Sequence, residues 1–198
     1  MEKQVERFKL ELPSKRREQD AMDFLHEFME ANTVIHGSGG LDYVESYDEW
    51  LKKLEEDRTR KPTEQRVPAE TYFLVRESGN KIVGVISIRK VLNKALWNFG
   101  GNIGYSIRPS ERRKGYNKIN LFLALCVCKN RGIEAVLIGC EKRNIASAKS
   151  IRALGGKLIY EYMDEELGYE IQNYVIDVRH ALDKYGDTYA PMMLEYPA

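Results

Sequence analysis

The sequence predicts an α/β (α+β) fold in which a mixed, mostly antiparallel central sheet of about seven strands is flanked by helices. Several short segments alternate apolar and polar side chains, as half-buried strands do. One helical segment, residues 119–128, is apolar nearly all round, which is typical of a helix buried between layers. A strand precedes this helix and another follows it, so we expect one parallel step in an otherwise antiparallel sheet.

The first elements of the predicted order β-α-α-β-β-β-α-β-α-β-β are a strand and two helices. Alternation over residues 8–12 predicts the strand, and Ser14 is placed to cap a helix whose apolar residues recur three and four positions apart. A glycine-rich loop, residues 35–40, separates it from a second helix that begins near Ser46. The polar segment 57–68 contains two prolines and predicts an exposed connection.

The remaining strands are predicted over residues 71–77, 81–91, 102–109, 134–140, 157–163 and 169–178. Gly132 ends the buried helix, and Asn144 is placed to cap a further helix over residues 145–154. The segment 183–198 is predicted to be an irregular tail. No repeat or linker divides the chain, so we expect one domain over residues 1–198.

Composition and charge argue against several classes of protein. The 31 basic and 30 acidic side chains give a net charge of +1, which is unlike a general nucleic-acid binder. Three cysteines cannot form a closed disulfide framework, and Cys126, Cys128 and Cys140 are not spaced as metal ligands. No apolar run approaches the length of a membrane span, and the charged first residues do not resemble a secretion signal. We therefore expect a cytoplasmic protein without a metal, a membrane or a nucleic acid as partner.

The segment IRPSERRKGYN, residues 107–117, is the most informative one for function. It joins a strand to the N-terminus of the buried helix, where unpaired backbone N–H groups favour a bound anion. Three successive cations, Arg112, Arg113 and Lys114, oppose the helix dipole there by about 0.3–1 kcal/mol each, and a bound polyphosphate would reverse the sign of that interaction. Gly115 has no Cβ and would let the backbone approach a phosphate. The alternative is a basic turn that only solvates its charges.

This segment resembles the pyrophosphate-binding motif of the GCN5-related N-acetyltransferase (GNAT) superfamily, with matching positions at Arg112, Gly115 and Asn117. A second segment, NIASAKSIRALGG, is similar to the next cofactor motif of that superfamily. In that motif Asn144 and Ser147 match positions that usually contact the pantetheine arm of coenzyme A. Two motifs in the expected order make the resemblance more specific than either motif alone.

The resemblance covers most of residues 73–178, with both motifs inside residues 103–156, and is closest to bacterial acetyltransferases with an SIRPSERRKGY-type segment. It implies a GNAT-like sheet and acetyl-CoA as acyl donor, without a metal. The implied reaction is direct attack by an amine of a small-molecule acceptor in a ternary complex, and a homodimer is compatible with it. The implied cofactor-binding residues are Ile107, Arg108, Arg112, Arg113, Lys114, Gly115, Tyr116, Asn117, Lys118, Asn144 and Ser147.

Two positions depart from the family pattern. Asn117 replaces the usual Gly or Ala, so its side chain occupies space beside the phosphates. Ile151 stands where many members carry a tyrosine that protonates the leaving thiolate. These departures support an alternative function, a non-catalytic CoA-binding or sensor domain of the same fold. A third hypothesis, an interaction module that uses the basic strip 108–118, is weakened by the near-zero net charge.

The implied reaction needs a general base, because most amines are protonated at neutral pH. Glu141, at the carboxyl end of a buried strand, is the first candidate, and Tyr105 in the strand before the anion-binding segment is the second. Each has a structural alternative: an ion pair with Lys142 or Arg143 for Glu141, and core packing for Tyr105.

Candidate acceptor-binding residues come from two loops. His36 lies in the glycine-rich loop, where this fold often places a segment over the acceptor, although an exposed inert histidine is the alternative. Asp164, Glu165 and Glu166 belong to an acidic hairpin loop that could attract a cationic amine. A solvated turn is the alternative for that loop.

Overall fold

The computed structural model describes residues 5–165 and 167–197. Within them seven strands and six α-helices follow one another, with a few short 3₁₀ turns between them. In chain order they are β1 (Phe8–Glu11), α1 (Glu18–Glu30), α2 (Tyr47–Thr59), β2 (Ala69–Arg76), β3 (Lys81–Arg89), α3 (Lys94–Asn98), β4 (Ile103–Ile107), α4 (Tyr116–Asn130), β5 (Ala135–Glu141), α5 (Ile145–Ala153), β6 (Lys157–Asp164), β7 (Tyr169–Asp177) and α6 (Val178–Tyr189). The predicted α/β class and its order of elements are confirmed, with α3 and α6 added.

The strands form two antiparallel sheets, with the orders β1-β2-β3-β4 and β5-β7-β6. The sequence predicts a parallel pairing of β4 with β5, and this prediction is wrong. Across the described residues no continuous ladder of backbone hydrogen bonds joins the two strands. At one end the amide of Asn102 donates to the Leu137 carbonyl at 2.7 Å, and the Leu137 amide donates to Asn102 Oδ1 at 2.8 Å. A side-chain oxygen thus replaces the next backbone acceptor, and the strands part beyond it.

Helix α4 forms the centre of the core, as its sequence predicts. Its ten residues 119–128 are all buried, and it packs between the first sheet, α5 and α6. The opposite face of that sheet is covered by α1 and α2 through a second apolar cluster that includes Phe24, Phe28, Trp50 and Phe73. The indole of Trp50 donates to the carbonyl of Ser38 at 2.9 Å, which fixes the glycine-rich loop against this layer.

The helix caps explain most boundaries and one error. The side chains of Ser46 and Asn144 cap α2 and α5 as predicted, by accepting from the amides of Glu49 and Ser147. The predicted cap at Ser14 is wrong, because a 3₁₀ turn over Lys15–Arg17 precedes α1 and the Ser14 hydroxyl makes no cap hydrogen bond.

The predicted irregular tail over residues 183–198 is also wrong. Helix α6 begins directly where β7 ends, because Asp177 accepts a hydrogen bond from the amide of His180 at 2.8 Å and caps it. The following residues return to β1, where Leu194 donates to the carbonyl of Phe8 at 2.7 Å. They cover the outer edge of the first sheet, which would otherwise expose unpaired backbone groups. The expectation of one domain over residues 1–198 stays a prediction.

Candidate functional site

A cavity of about 890 Å³ opens where β4 and β5 part. It is lined by residues of the two cofactor motifs, of both strand ends and of the connection between α1 and α2. Among them are the predicted site residues His36, Tyr105, Ile107, Arg112, Arg113, Gly115, Tyr116, Asn117, Lys118, Glu141, Asn144 and Ser147. The fold therefore brings most of the predicted residues to one place.

The edge of β4 that faces the cavity carries backbone groups not used by β3. The amide of Arg108 donates to the carbonyl of Val83 on β3 at 2.9 Å. Because successive amides of a strand point to opposite sides, the amide of Ile107 points away from β3. The carbonyl of Ile107 accepts from Arg112 Nε at 3.2 Å. Ile107 therefore presents a backbone donor at the open side of the sheet.

Residues 113–117, the anion-binding loop, form the turn into α4. Arg113 and Gly115 both have left-handed backbone conformations, with φ of 65° and 83°. Within the part of the chain that the structure describes, no group accepts a hydrogen bond from the amides of this loop. A Cβ at Gly115 would meet no atom within 4 Å, so the backbone there is open to an approaching group. This geometry agrees with the predicted anion site at a helix N-terminus.

The side chains of two predicted cofactor-binding residues, Arg108 and Lys114, do not line the cavity. Arg108 is only 6% exposed and does not line the cavity; its guanidinium donates to Glu27, Asp20 and the carbonyl of Ile82. Lys114 does not line the cavity either, and its ammonium forms an ion pair at 2.7 Å with the buried carboxylate of Glu111, which does line it. The acidic partners of Arg108 come from α1, whereas the partner of Lys114 lies three residues before it in the same segment.

Four cationic side chains line the cavity, and within the described residues none of them makes an ion pair: Arg112, Arg113, Lys118 and Lys149. Sequence reasoning missed Lys149, whose signal is its position on α5 one turn after the capping Asn144. Among these cations, the guanidinium of Arg112 contacts residues of α1 and of the α1–α2 connection. It lies over the ring of Phe28 with 5.3 Å to the centroid and donates to Thr33 Oγ1 at 3.2 Å. Arg112 thus joins the cofactor side of the cavity to the α1–α2 connection.

A polar cluster lies between β4, α4 and α5. The hydroxyls of Tyr105 and Ser147 are 2.8 Å apart, and Asn144 Oδ1 accepts from the amide of Ser147 at 3.1 Å. Burial raises the pKa of Tyr105 to about 12, so its phenol keeps its proton at neutral pH. The side-chain oxygen of Asn117 is buried in this region without a hydrogen-bond partner. An unpaired buried acceptor beside a cavity is suited to an N–H group of a ligand.

The candidate base Glu141 lines the cavity, but it also has the structural partner considered above. Its carboxylate accepts from Arg143 Nε at 2.5 Å, and the Arg143 guanidinium lies over the ring of Tyr169, 5.0 Å from its centroid. On the other side of the cavity the backbone amide of His36 donates to Ser106 Oγ at 2.8 Å. His36 and Glu141 therefore approach the cavity from opposite elements.

The described residues of the acidic hairpin loop lie outside the lining of the cavity. Asp164 and Glu165 do not line the cavity, and Glu166 lies outside the described residues. The neighbouring Lys142 on the turn after β5 forms ion pairs with Glu170 at 3.0 Å and Glu161 at 3.8 Å, so the hairpin's acidity is partly offset. Attraction of a cationic acceptor by this loop stays a prediction.

The structure adds two observations on the described residues. Across 5–165 and 167–197 no group of three or more His, Cys, Asp or Glu side chains is arranged to hold a metal ion. In the same ranges no helix is long and apolar enough to cross a membrane.

Several solved acetyltransferases resemble the chain at low sequence identity. The ribosomal-protein-S5-alanine acetyltransferase from Vibrio fischeri gives a TM-score of 0.63 with 14% identity, covering 86% of this chain and 92% of that one. RimL, a ribosomal L7/L12 α-N-protein acetyltransferase in complex with coenzyme A, gives 0.63 with 18% identity, covering 86% and 94%. The microcin C7 self-immunity acetyltransferase MccE, in complex with acetyl-CoA and AMP, gives 0.61 with 16% identity, covering 86% and 92%. These likenesses show a shared fold. No curated protein matches the chain.

A family match connects the fold to an activity. Residues 9–157, well over half of the 198-residue chain, match the acetyltransferase (GNAT) domain family. The match contains both predicted cofactor motifs and every residue that lines the cavity. The predicted family, the acetyltransferase activity and acetyl-CoA as acyl donor are thereby confirmed. The chain belongs to the GNAT acetyltransferases.

Proposed function

We propose that this acetyltransferase transfers the acetyl group of acetyl-CoA to the amine of a small-molecule acceptor. The observation that carries the proposal is the anion-binding loop, whose free backbone amides adjoin the cavity between β4 and β5. Two of the similar structures are named for amine substrates, RimL for a protein α-amine and SpeG from Vibrio cholerae for spermidine and spermine. Amines of either size are thus supported as acceptors, and the cavity volume of about 890 Å³ is within the range of small-molecule sites, which favours the smaller class.

The residues present fit the donor. The amides of residues 113–117 would bind the pyrophosphate, and Arg113, Lys118 and Lys149 would supply positive charge around it. The unpaired Oδ1 of Asn117 would accept a hydrogen bond from an amide N–H of the pantetheine arm. Asn117 therefore suits this site although the family usually has Gly or Ala there.

Two groups of the chain, the amide of Ile107 and the carboxylate of Glu141, can assist the attack of the amine. Acetyl-CoA supplies a thioester whose acyl carbon an amine can attack. The backbone amide of Ile107 would donate to the acyl oxygen as negative charge develops on it. The carboxylate of Glu141 would take a proton from the acceptor amine, directly or through a water, while Arg143 holds that carboxylate in place.

Tyr105 is better suited to donate a proton than to act as the general base. A phenol with a pKa of about 12 is almost fully protonated at neutral pH and so cannot accept a proton there. Its hydroxyl contacts Ser147 inside the cavity, whereas Ile151, at the family's tyrosine position, is fully buried and has no polar group. We assign to Tyr105, with Ser147, the delivery of a proton to the leaving sulfur.

Two assays divide this proposal from the sensor alternative, which the apolar Ile151 and the ion pair of Glu141 favour. Acetyl-CoA should raise the melting temperature, and release of free thiol should then accelerate with at least one amine in a panel of polyamines, amino acids and aminoglycosides. Stabilisation without turnover on small amines or on peptide N-termini would favour the sensor. Turnover on peptides alone would contradict the small-molecule acceptor.

A further inference from the structure

The start of the cofactor motif is attached to α1, a helix on the other face of the first sheet. Glu27 of α1 accepts from Arg108 Nε at 2.6 Å and from the backbone amide of Ser110 at 2.5 Å. Burial disfavours the charged carboxylate, yet the hydrogen bonds from Arg108 and Ser110 outweigh it and hold the pKa of Glu27 below its usual range. Glu27 is therefore ionised at neutral pH and binds both a side chain and the backbone of the segment before the anion-binding loop.

Arg108 is fixed from the other side as well. Its guanidinium also donates to Asp20 of α1 at 3.2 Å and to the carbonyl of Ile82 on β3 at 3.1 Å. Asp20 in turn accepts from the amide of Ile82 at 2.8 Å. The side chain of Arg108 is 7% exposed and those of Asp20 and Glu27 are 26% and 23% exposed, so solvent weakens these ion pairs less than fully exposed ones.

Such a connection matters because the anion-binding loop adopts an unfavourable backbone. Arg113 is not a glycine, yet its φ is 65°, and conformations of this kind persist only where the surrounding structure imposes them. On its far side the loop continues into the buried helix α4. On its near side the chain is held at Arg108 and Ser110 by Glu27, and at Glu111 by Arg76 at 3.0 Å.

Glu27 does not act by contacting the cofactor. A free carboxylate near a pyrophosphate site would repel the ligand, and Glu27 does not line the cavity. Its charge is instead compensated by Arg108, and its second oxygen holds a backbone amide. The carboxylate can therefore act on the loop without contacting the ligand.

We propose that Glu27 is a positioning residue of the cofactor site: it holds residues 108–110 so that the amides of residues 113–117 converge on the pyrophosphate. This inference rests on the proposed placement of coenzyme A. It predicts a selective effect, since only the part of the ligand that contacts the loop depends on Glu27. Pantetheine, which lacks the pyrophosphate and the nucleotide, should not depend on it.

The test compares the variants Glu27→Gln and Glu30→Gln in binding coenzyme A and pantetheine, each measured by calorimetry. Glu30 lies one turn further along α1, is exposed and makes no ion pair within the described residues, so it is the matched control. Glu27→Gln should raise the Kd of coenzyme A about tenfold, because a hydrogen bond to a charged group is weakened. The Kd of pantetheine should stay within about twofold, and Glu30→Gln should change neither value.

An unchanged Kd of coenzyme A in Glu27→Gln would overturn the inference. An equal rise for coenzyme A and pantetheine would also overturn it, because that result indicates a general loss of structure. If Glu27→Gln does not fold, Glu27→Asp keeps the charge but shortens the side chain, and it should show the same selectivity for coenzyme A. Failure of the wild-type protein to bind coenzyme A would instead contradict the proposed function, so the two failures are distinguishable.

Discussion

Two glycines at the ends of α4 offer a direct test of the anion-binding loop. Gly115 precedes the helix with φ of 83°, and Gly132 follows it with φ of 70°. At either position an added Cβ would meet no atom within 4 Å. The cost of alanine is therefore a backbone cost alone, about 1 kcal/mol for a left-handed conformation. For a chain of this size that cost lowers the melting temperature by about 2–4 °C in each variant.

The two substitutions should differ in their effect on ligand binding. In Gly115→Ala this cost falls on a residue of the anion-binding loop, so fewer molecules keep the turn in which the neighbouring amides converge. Loss of one hydrogen bond to a charged phosphate weakens the binding free energy by about 1.5 kcal/mol or more, so the Kd of acetyl-CoA should rise about tenfold. Gly132→Ala lies at the other end of the helix and should keep the Kd within about twofold of the wild type. Scanning and titration calorimetry measure the two quantities.

Three outcomes would refute this reasoning. If Gly115→Ala loses stability like Gly132→Ala but binds acetyl-CoA like the wild type, the loop does not hold the pyrophosphate. If Gly132→Ala weakens binding as much as Gly115→Ala, the effect is a general one on α4. If neither melting temperature falls, the backbone argument itself fails.

The remaining predictions concern one side chain of the cavity and one buried ion pair. Tyr105→Phe should lower kcat about 10- to 100-fold and leave the KM of acetyl-CoA within about twofold, because it removes only the proposed proton donor; a changed KM with an unchanged kcat would contradict that role. Burial opposes the ionisation of Glu70, but hydrogen bonds from Arg131 and Tyr72 lower its pKa from 4.5 to about 2. Because this pKa is lower in the folded than in the unfolded state, the ionised Glu70 stabilises the protein above pH 4.5. That stabilisation is lost as the pH falls towards 2. The free energy of unfolding in urea should therefore fall more steeply with acidification in the wild type than in Glu70→Gln, and equal slopes would contradict the ion pair.

Much of the fold could be predicted because local signals and tertiary packing agree. The uniformly apolar sequence of α4 requires burial on every side, and the helix is buried over residues 119–128. Asn144 caps α5 through a local hydrogen bond that depends on neighbouring residues only. Helix α6 is not evident from the sequence, because no turn residue separates it from β7 and its cap Asp177 continues the alternating pattern of the strand.

The sequence predicts the site in outline, but it does not show which of the predicted cations line the cavity. A motif identifies which residues lie near a helix N-terminus, but not which charges are already paired. Arg108 meets Glu27, distant in the sequence, and Lys114 meets a glutamate whose burial no local pattern reveals. The link between β4 and β5 similarly depends on Asn102, whose side chain takes the place of a backbone acceptor. Such pairings are properties of the folded chain.

The most direct test of the central claim is the affinity of acetyl-CoA for the variant Arg113→Glu, measured by calorimetry against Arg179→Glu. Arg113 lines the cavity in the anion-binding loop, whereas Arg179 is an exposed residue of α6 that does not line the cavity, so both variants reverse one surface charge. We expect Arg113→Glu to weaken binding at least tenfold without lowering the melting temperature of the ligand-free protein, and Arg179→Glu to bind like the wild type. Equal affinity in the two variants would contradict the placement of the pyrophosphate at residues 113–117.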